Sequence, residues 1–191
     1  MSQNTFISQA GEILALPTAH PVNKLGGYGP GGEVIYTGHP FSCPSVLVDN
    51  RENVSATFMS NGSLAFTVTL ENGMEIPVLR GHFDPFEKRE TGVPSHQLWL
   101  TLTDGENRVS DTCCLVTPES GFGISPDWIK LVKKGDPDRC YWYCHAFSNN
   151  DRSFETAVRL GLSRDVTGPV LTRRIFIRNT GSTPLTGTLW A

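Results

Sequence analysis

The feature that most constrains this chain is its last stretch, FETAVRLGLSRDVTGPVLTRRIFIRNTGSTPLTGTLWA, residues 154–191, where strand-forming segments alternate with residues that favour turns. Val170 to Arg178 places Leu171, Ile175 and Ile177 on one parity and Arg174, Phe176 and Arg178 on the other. That two-residue period is the pattern of a strand with one buried face. Asn179-Thr180-Gly181-Ser182-Thr183-Pro184 then gathers turn formers, and Leu185 to Ala191 resumes as a further strand. An end as apolar as Leu189-Trp190-Ala191 predicts a domain that continues past Ala191.

The same alternation runs through most of the chain. Val34 to Thr37, Val46 to Val48, Ala56 to Met59, Leu64 to Leu70 and Ile76 to Leu79 are short β-type segments. Ser60-Asn61-Gly62-Ser63 is a strong hairpin signal, and Glu71-Asn72-Gly73 repeats it one strand later, so a meander is expected here. Pro77 lacks the amide proton that a ladder needs, which predicts an edge strand or a bulge. Gln97 to Thr103 carries Leu98, Leu100 and Leu102 on one parity and pairs naturally with Val109 to Val116 across the turn Asp104 to Asn107. Tyr141 to Phe147 and Phe154 to Ser163 continue the β pattern, and no sustained helical period is evident. In residues 1–32, Ile13-Leu14-Ala15-Leu16 is followed by Pro17, Pro21 and glycines between Gly26 and Gly32, which predicts a loop-rich lead-in. Those glycines match neither phosphate-binding spacing. The expected fold is therefore all-β with little helix: a large antiparallel two-sheet sandwich of about a dozen strands over residues 33–191. A chain of 191 residues with 38% apolar content can bury such a core.

Charge and cysteine usage narrow the partners. A net charge of −3 and the lack of any basic block argue against nucleic acid or an anionic membrane as partner. No apolar run approaches the roughly 20 residues of a membrane helix, and the first residues lack the basic start and apolar core of a signal peptide. A cytoplasmic location is the expectation. The five cysteines, Cys43, Cys113, Cys114, Cys140 and Cys144, lack the spacing of a disulfide framework and are expected as free core thiols. Cys140, Cys144 and His145 invite a metal reading, but on a strand the two cysteines share a face that His145 does not. No metal or other cofactor is implied. Asn53 and Asn61 fit the glycosylation pattern by coincidence in a chain without a secretion signal.

Chemistry-bearing residues are scattered. None of the five histidines, His20, His39, His82, His96 and His145, lies in a nucleophile or metal motif. His82 with Asp84 and Glu87 could form an acid/base cluster, and Glu119 with Asp127 could be paired carboxylates; an ordinary solvated loop is the preferred reading of both sets. No catalytic residue is assigned. The aromatics are more telling, because Trp99, Trp128, Trp142 and Tyr143 offer flat faces on which a sugar ring stacks. Trp142, inside Tyr-Trp-Tyr, is expected in the core. Trp128, in a Gly/Pro-rich segment next to Asp127, is the expected exposed platform, with Trp99 as a further sugar-binding candidate.

Phe154 to Ser163, followed by Pro169 to Leu185, resembles the end of the N-terminal β-supersandwich domain of cellobiose-phosphorylase-like enzymes, glycoside hydrolase family 94, within the galactose-mutarotase-like sandwich superfamily. The aromatic-x-Cys-His segment of that family has a similar counterpart in Tyr143-Cys144-His145. Gly123-Ile-Ser-Pro-Asp-Trp128 is similar to its Trp-Ser-Pro loop, with the Trp after the Ser-Pro instead of before it. The resemblance covers residues 56–191 in organisation and the last third of the chain in pattern. It implies a non-catalytic domain of a glycoside phosphorylase, or of a related glycosyltransferase or glycoside hydrolase acting on β-linked glucosides. The general acid would sit in a separate C-terminal helical domain, and this domain would supply scaffold, homodimer contact and the entrance to the sugar site. The alternatives are a stand-alone carbohydrate-binding module and, from another class, a mutarotase-like epimerase using an exposed His82 or His145 with a glutamate.

Overall fold

The computed structural model describes residues 2–16, 27–28, 34–37, 46–51, 53–59, 64–79, 98–116, 124, 126–135, 139–149, 151–165 and 168–190. Among them are one helix, α1 (Gln3–Ala15), and thirteen strands. These are β1 (Gly27–Tyr28), β2 (Val34–Thr37), β3 (Val46–Arg51), β4 (Val54–Met59), β5 (Leu64–Thr69), β6 (Glu75–Leu79), β7 (Trp99–Thr103), β8 (Val109–Cys114), β9 (Trp128–Lys134), β10 (Cys140–Asn149), β11 (Arg152–Asp165), β12 (Gly168–Asn179) and β13 (Gly187–Trp190). Every pairing between them is antiparallel. The all-β, sandwich-like architecture expected from the alternation is present, divided among three sheets instead of two.

A six-stranded sheet, in the order β1-β2-β9-β10-β11-β12, forms the body. Its long strands β10, β11 and β12 follow one another in sequence and pair in that order. A four-stranded meander, β3-β4-β5-β6, and a three-stranded sheet, β13-β7-β8, pack against one face of it. In the meander, β6 is an edge strand, and the register shifts between Phe66 and Thr67, opposite Pro77. The missing proline amide proton thus falls where the ladder has room for it.

The core between the sheets follows strand parity. Tyr141, Tyr143 and Phe147 of β10 and Phe154, Val158, Leu160 and Leu162 of β11 point inward. They meet Val54 and Ala56 of β4, Leu98, Leu100 and Leu102 on the β7 side, and Cys113, Leu115 and Val116 on the β8 side. Phe147 stacks on Phe154 with ring centroids 5.0 Å apart. Such aromatic pairs add about 0.5–1.5 kcal/mol beyond their burial.

The opposite face is covered by α1, where a loop-rich segment was expected. Ser2 caps the helix by accepting a hydrogen bond from the Thr5 amide at 3.2 Å. Phe6, Ala10, Ile13 and Leu14 recur at helical spacing and are all buried against Val132, Cys140, Trp142, Cys144 and Ala157. Phe6 stacks on Trp142 at 5.8 Å with 8° between the ring planes. Burying one large apolar side chain stabilises by about 1.5–3 kcal/mol, so the stripe offsets the weak intrinsic stability of so short a helix. At its far end the buried Lys130 Nζ donates to Leu14 O and Leu16 O, both at 2.8 Å. A cation there complements the negative end of the helix dipole.

After Asn179 the chain leaves the large sheet. Asn179 Oδ1 accepts from the Gly181 amide and its amide group donates to Thr183 O, closing the turn. Residues 187–190 then pair with β7 in the smaller sheet, not with β12. Gly187 lies so close to Thr101 O and the Leu102 backbone that a Cβ there would collide with them.

Candidate functional site

The outer face of the three-stranded sheet is built by the parity of β7. With Leu98, Leu100 and Leu102 directed into the core, Trp99, Thr101 and Thr103 must face the other way. β13 runs alongside with Trp190 opposite Trp99 and Thr188 opposite Thr101. On the other side of β7, Thr112 of β8 lies opposite Thr101. One surface therefore carries two indoles followed by a row of threonine hydroxyls. Trp190 is 58% exposed, and its indole N–H donates to Thr101 Oγ1 at 2.9 Å. That bond fixes the ring while leaving its apolar body in contact with solvent.

The hydroxyl row ends at β8, whose outer edge borders a cleft that also takes in Asp111 on the face of Leu102. Its lining comprises Val109, Ser110, Asp111, Thr112, Ile124, Ser148 and Asn149, around a volume of about 620 Å³. Ile124 is held beside β8 by its amide, which donates to Thr112 O at 2.7 Å. Asn149 Nδ2 donates to Asp111 Oδ1 at 2.8 Å, and Arg152 Nη1 lies 3.8 Å from Asp111 Oδ2. Arg152 is itself anchored, donating through Nη1 to Ser110 Oγ and through Nη2 to Thr103 O at 3.0 Å. The side chains of Asp111 and Arg152 are mostly shielded, at 20% and 16% exposure, so the pair is held in place with little freedom to reorient. On the neighbouring turn, hydrogen bonds from the Arg108 and Glu106 amides to Asp104 hold its carboxyl below the ordinary carboxylate range.

The residues expected from sequence do not form one site. Trp99 lies on this face, half-buried, beside a tryptophan that was expected only as part of an apolar terminus. Trp128 lies elsewhere: it begins β9, is half-buried against the helix-side cluster, and has Lys130 Nζ 5.3 Å from its ring centroid. It is a packing residue with a cation beside it, not the exposed platform expected from its Gly/Pro surroundings. Asp127 is exposed at the start of β9, where its amide donates to Ala146 O. His20, His39, His82, His96, Asp84, Glu87, Glu119 and Cys43 lie outside the described residues.

His145 is placed firmly. It is fully buried on the inner face between sheets, with its ring 5.8 Å from Phe147, and neither ring nitrogen has a hydrogen-bond partner among the described residues. Burial pushes its pKa down to about 3, so the imidazole is neutral at ordinary pH. A solvent-facing acid/base role for His145 is excluded by that position. Cys140 and Cys144 point to the helix side, away from His145, as strand parity requires. Cys113, Cys114, Cys140 and Cys144 are buried and outside any disulfide, and burial raises Cys113 and Cys144 to about 12, which makes them poor nucleophiles. Among the described residues no three His, Cys, Asp or Glu side chains are grouped to hold a metal ion.

Comparison of the chain with protein-family models, with curated proteins and with solved structures gives no match. Among the described residues, no helix is long and apolar enough to cross a membrane.

Proposed function

We propose that this chain is a non-catalytic β-sandwich domain of a carbohydrate-active enzyme, of the kind that precedes the helical catalytic domain of glycoside phosphorylases acting on β-linked glucosides. Its contact with sugar is made on the outer face of the three-stranded sheet. The observation that carries this reading is the Trp99–Trp190 pair, with the Trp190 ring pinned by Thr101 and more than half exposed. Sugar rings present one face of C–H bonds, which stack on an indole, and a rim of hydroxyls, which the adjoining Thr101, Thr112 and Thr188 can match. The resemblance of Phe154 to Leu185 to the family 94 domain supports the same class of ligand from an independent part of the chain.

A stand-alone sugar-binding module would use the same face, and the two readings separate on whether a catalytic partner domain is needed for the protein's role. Binding itself is tested by titrating the protein with cellotetraose while following tryptophan emission. A saturable change in the millimolar range is expected, lost in Trp190→Ala. Emission unchanged up to about 10 mM ligand, a binding energy weaker than about 3 kcal/mol, would overturn the reading.

A further inference from the structure

We infer that the cleft at the outer edge of β8 is a second subsite, which takes the hydroxyl-rich end of a neutral oligosaccharide whose preceding ring lies on Trp190. The inference rests on the carbohydrate reading and extends it to a region with no aromatic residue. Continuity is the first argument. Trp190 bonds to Thr101, Thr101 lies opposite Thr112, and Thr112 is part of the cleft lining. A ligand stacked on the indole and extending across β7 therefore reaches Thr112 on the same surface, and it meets Asp111, which shares the face of Leu102, by rounding the edge of β8.

Donor and acceptor inventory is the second argument. Asp111 offers only acceptors, Asn149 offers both kinds, and Ser110, Thr112 and Ser148 contribute hydroxyls that can give or receive. Asn149 already spends one amide proton on Asp111, which leaves its carbonyl oxygen and second proton for a ligand. A carboxylate and an amide locked together in this way bind vicinal hydroxyls without first having to be ordered. Ile124 and Val109, the latter 67% exposed, supply apolar shoulders for C–H groups.

Charge decides the ligand class. An anion would meet the Asp111 carboxylate at the cleft wall, and a cation would find that carboxylate already opposed by Arg152 at 3.8 Å. A neutral polyhydroxy ligand meets neither penalty. The volume, about 620 Å³, lies within the span of small-molecule pockets.

The test compares three variants of the whole chain by calorimetry with cellotetraose, and by NMR shift mapping with glucose alone. Asp111→Ala removes the central acceptor. Ser148→Phe fills the cleft while leaving the Asp111, Asn149 and Arg152 contacts in place, and it decides the matter if Asp111→Ala melts too low to use. Trp190→Ala removes the platform. The inference expects each cleft variant to weaken cellotetraose binding about tenfold, or about 1.4 kcal/mol, with glucose shifts centred on Ser110, Asp111 and Asn149. If Trp190→Ala abolishes binding while both cleft variants stay within about twofold of the parent, the cleft is not a subsite and the platform stands. If glucose shifts appear in the cleft and Trp190→Ala changes nothing, the platform falls and the cleft stands. If the unmodified chain binds neither ligand, both fall together.

Discussion

The two faces of the six-stranded sheet solve the same problem differently. Both bury aromatic side chains from β10, and both bury a polar group beside them. On the helix-covered face the buried group is Lys130, whose ammonium is received by two carbonyls at the end of α1. On the face between the sheets it is the cross-strand pair His145 and Thr156, whose ring nitrogens and hydroxyl oxygen have no partner among the described residues. A charge can be buried where a helix terminus supplies acceptors; where only side chains of Phe147, Phe154 and their neighbours surround the group, it must stay neutral. Burial lowers the pKa of both Lys130 and His145, and His145 falls to about 3.

The comparison can be broken at four points. The largest effect is expected from Trp142→Ala, which opens a cavity under α1 and removes the stack on Phe6; chemical denaturation should show a loss of about 5 kcal/mol, near the upper end for such truncations. A loss under about 2 kcal/mol would mean that α1 is dispensable to the fold.

Acid comes next. The His145 pKa in the fold, about 3, lies below its ordinary 6.5, so the unfolded chain takes up a proton as pH falls below 6.5 while the folded chain does not. The stability contributed by the neutral imidazole is therefore intact above pH 6.5 and is lost progressively between 6.5 and about 3. It should amount to roughly 4 kcal/mol across the window. His145→Phe isolates this component from the carboxylates that titrate in the same range. The parent should lose stability relative to the variant as pH drops from 6.5 to about 3, and parallel curves would refute the buried neutral imidazole.

Lys130→Met should cost about 2–3 kcal/mol, because it strands one buried and one partly buried carbonyl. Far-ultraviolet dichroism should show the loss concentrated in helix signal. A variant as stable as the parent would place the helix end in water instead. The smallest effect is expected from Thr156→Val, which exchanges an unpaired hydroxyl for a methyl of similar size. It should be neutral or stabilise by up to about 1 kcal/mol. A clear loss would reveal a partner for that hydroxyl.

Legibility from sequence tracked the range over which each feature is decided. The β7–β8 hairpin, the meander and the buried Trp142 follow from alternation and turn residues within ten positions or so, and they are present. The helix was hidden because Pro17, Pro21 and the glycines dominate the composition of the lead-in. Its own signals, Ser2 as cap and Phe6, Ala10, Ile13 and Leu14 in register, occupy barely three turns. The site was less legible still. Trp99 and Trp190 come together only because β13 crosses to the other sheet, and Asp111 meets Asn149 and Arg152 only through the packing of β8 against the end of β10. No periodicity encodes such pairings. Trp128 misled for the opposite reason: its neighbours resemble a loop, whereas the residue itself begins a strand under the helix-side cluster.

Gly187 gives that crossing a fixed gauge. Because any β-carbon there would strike Thr101 O and the Leu102 backbone, the strand can approach β7 closely only with glycine at this rung. A slide of one residue would bring Thr188 to the crowded rung and turn the Trp190 indole toward the interior. A slide of two would set it opposite Thr101 instead of Trp99. The pairing of the two indoles on one rung is thus set three residues upstream of Trp190, by the lack of a single β-carbon.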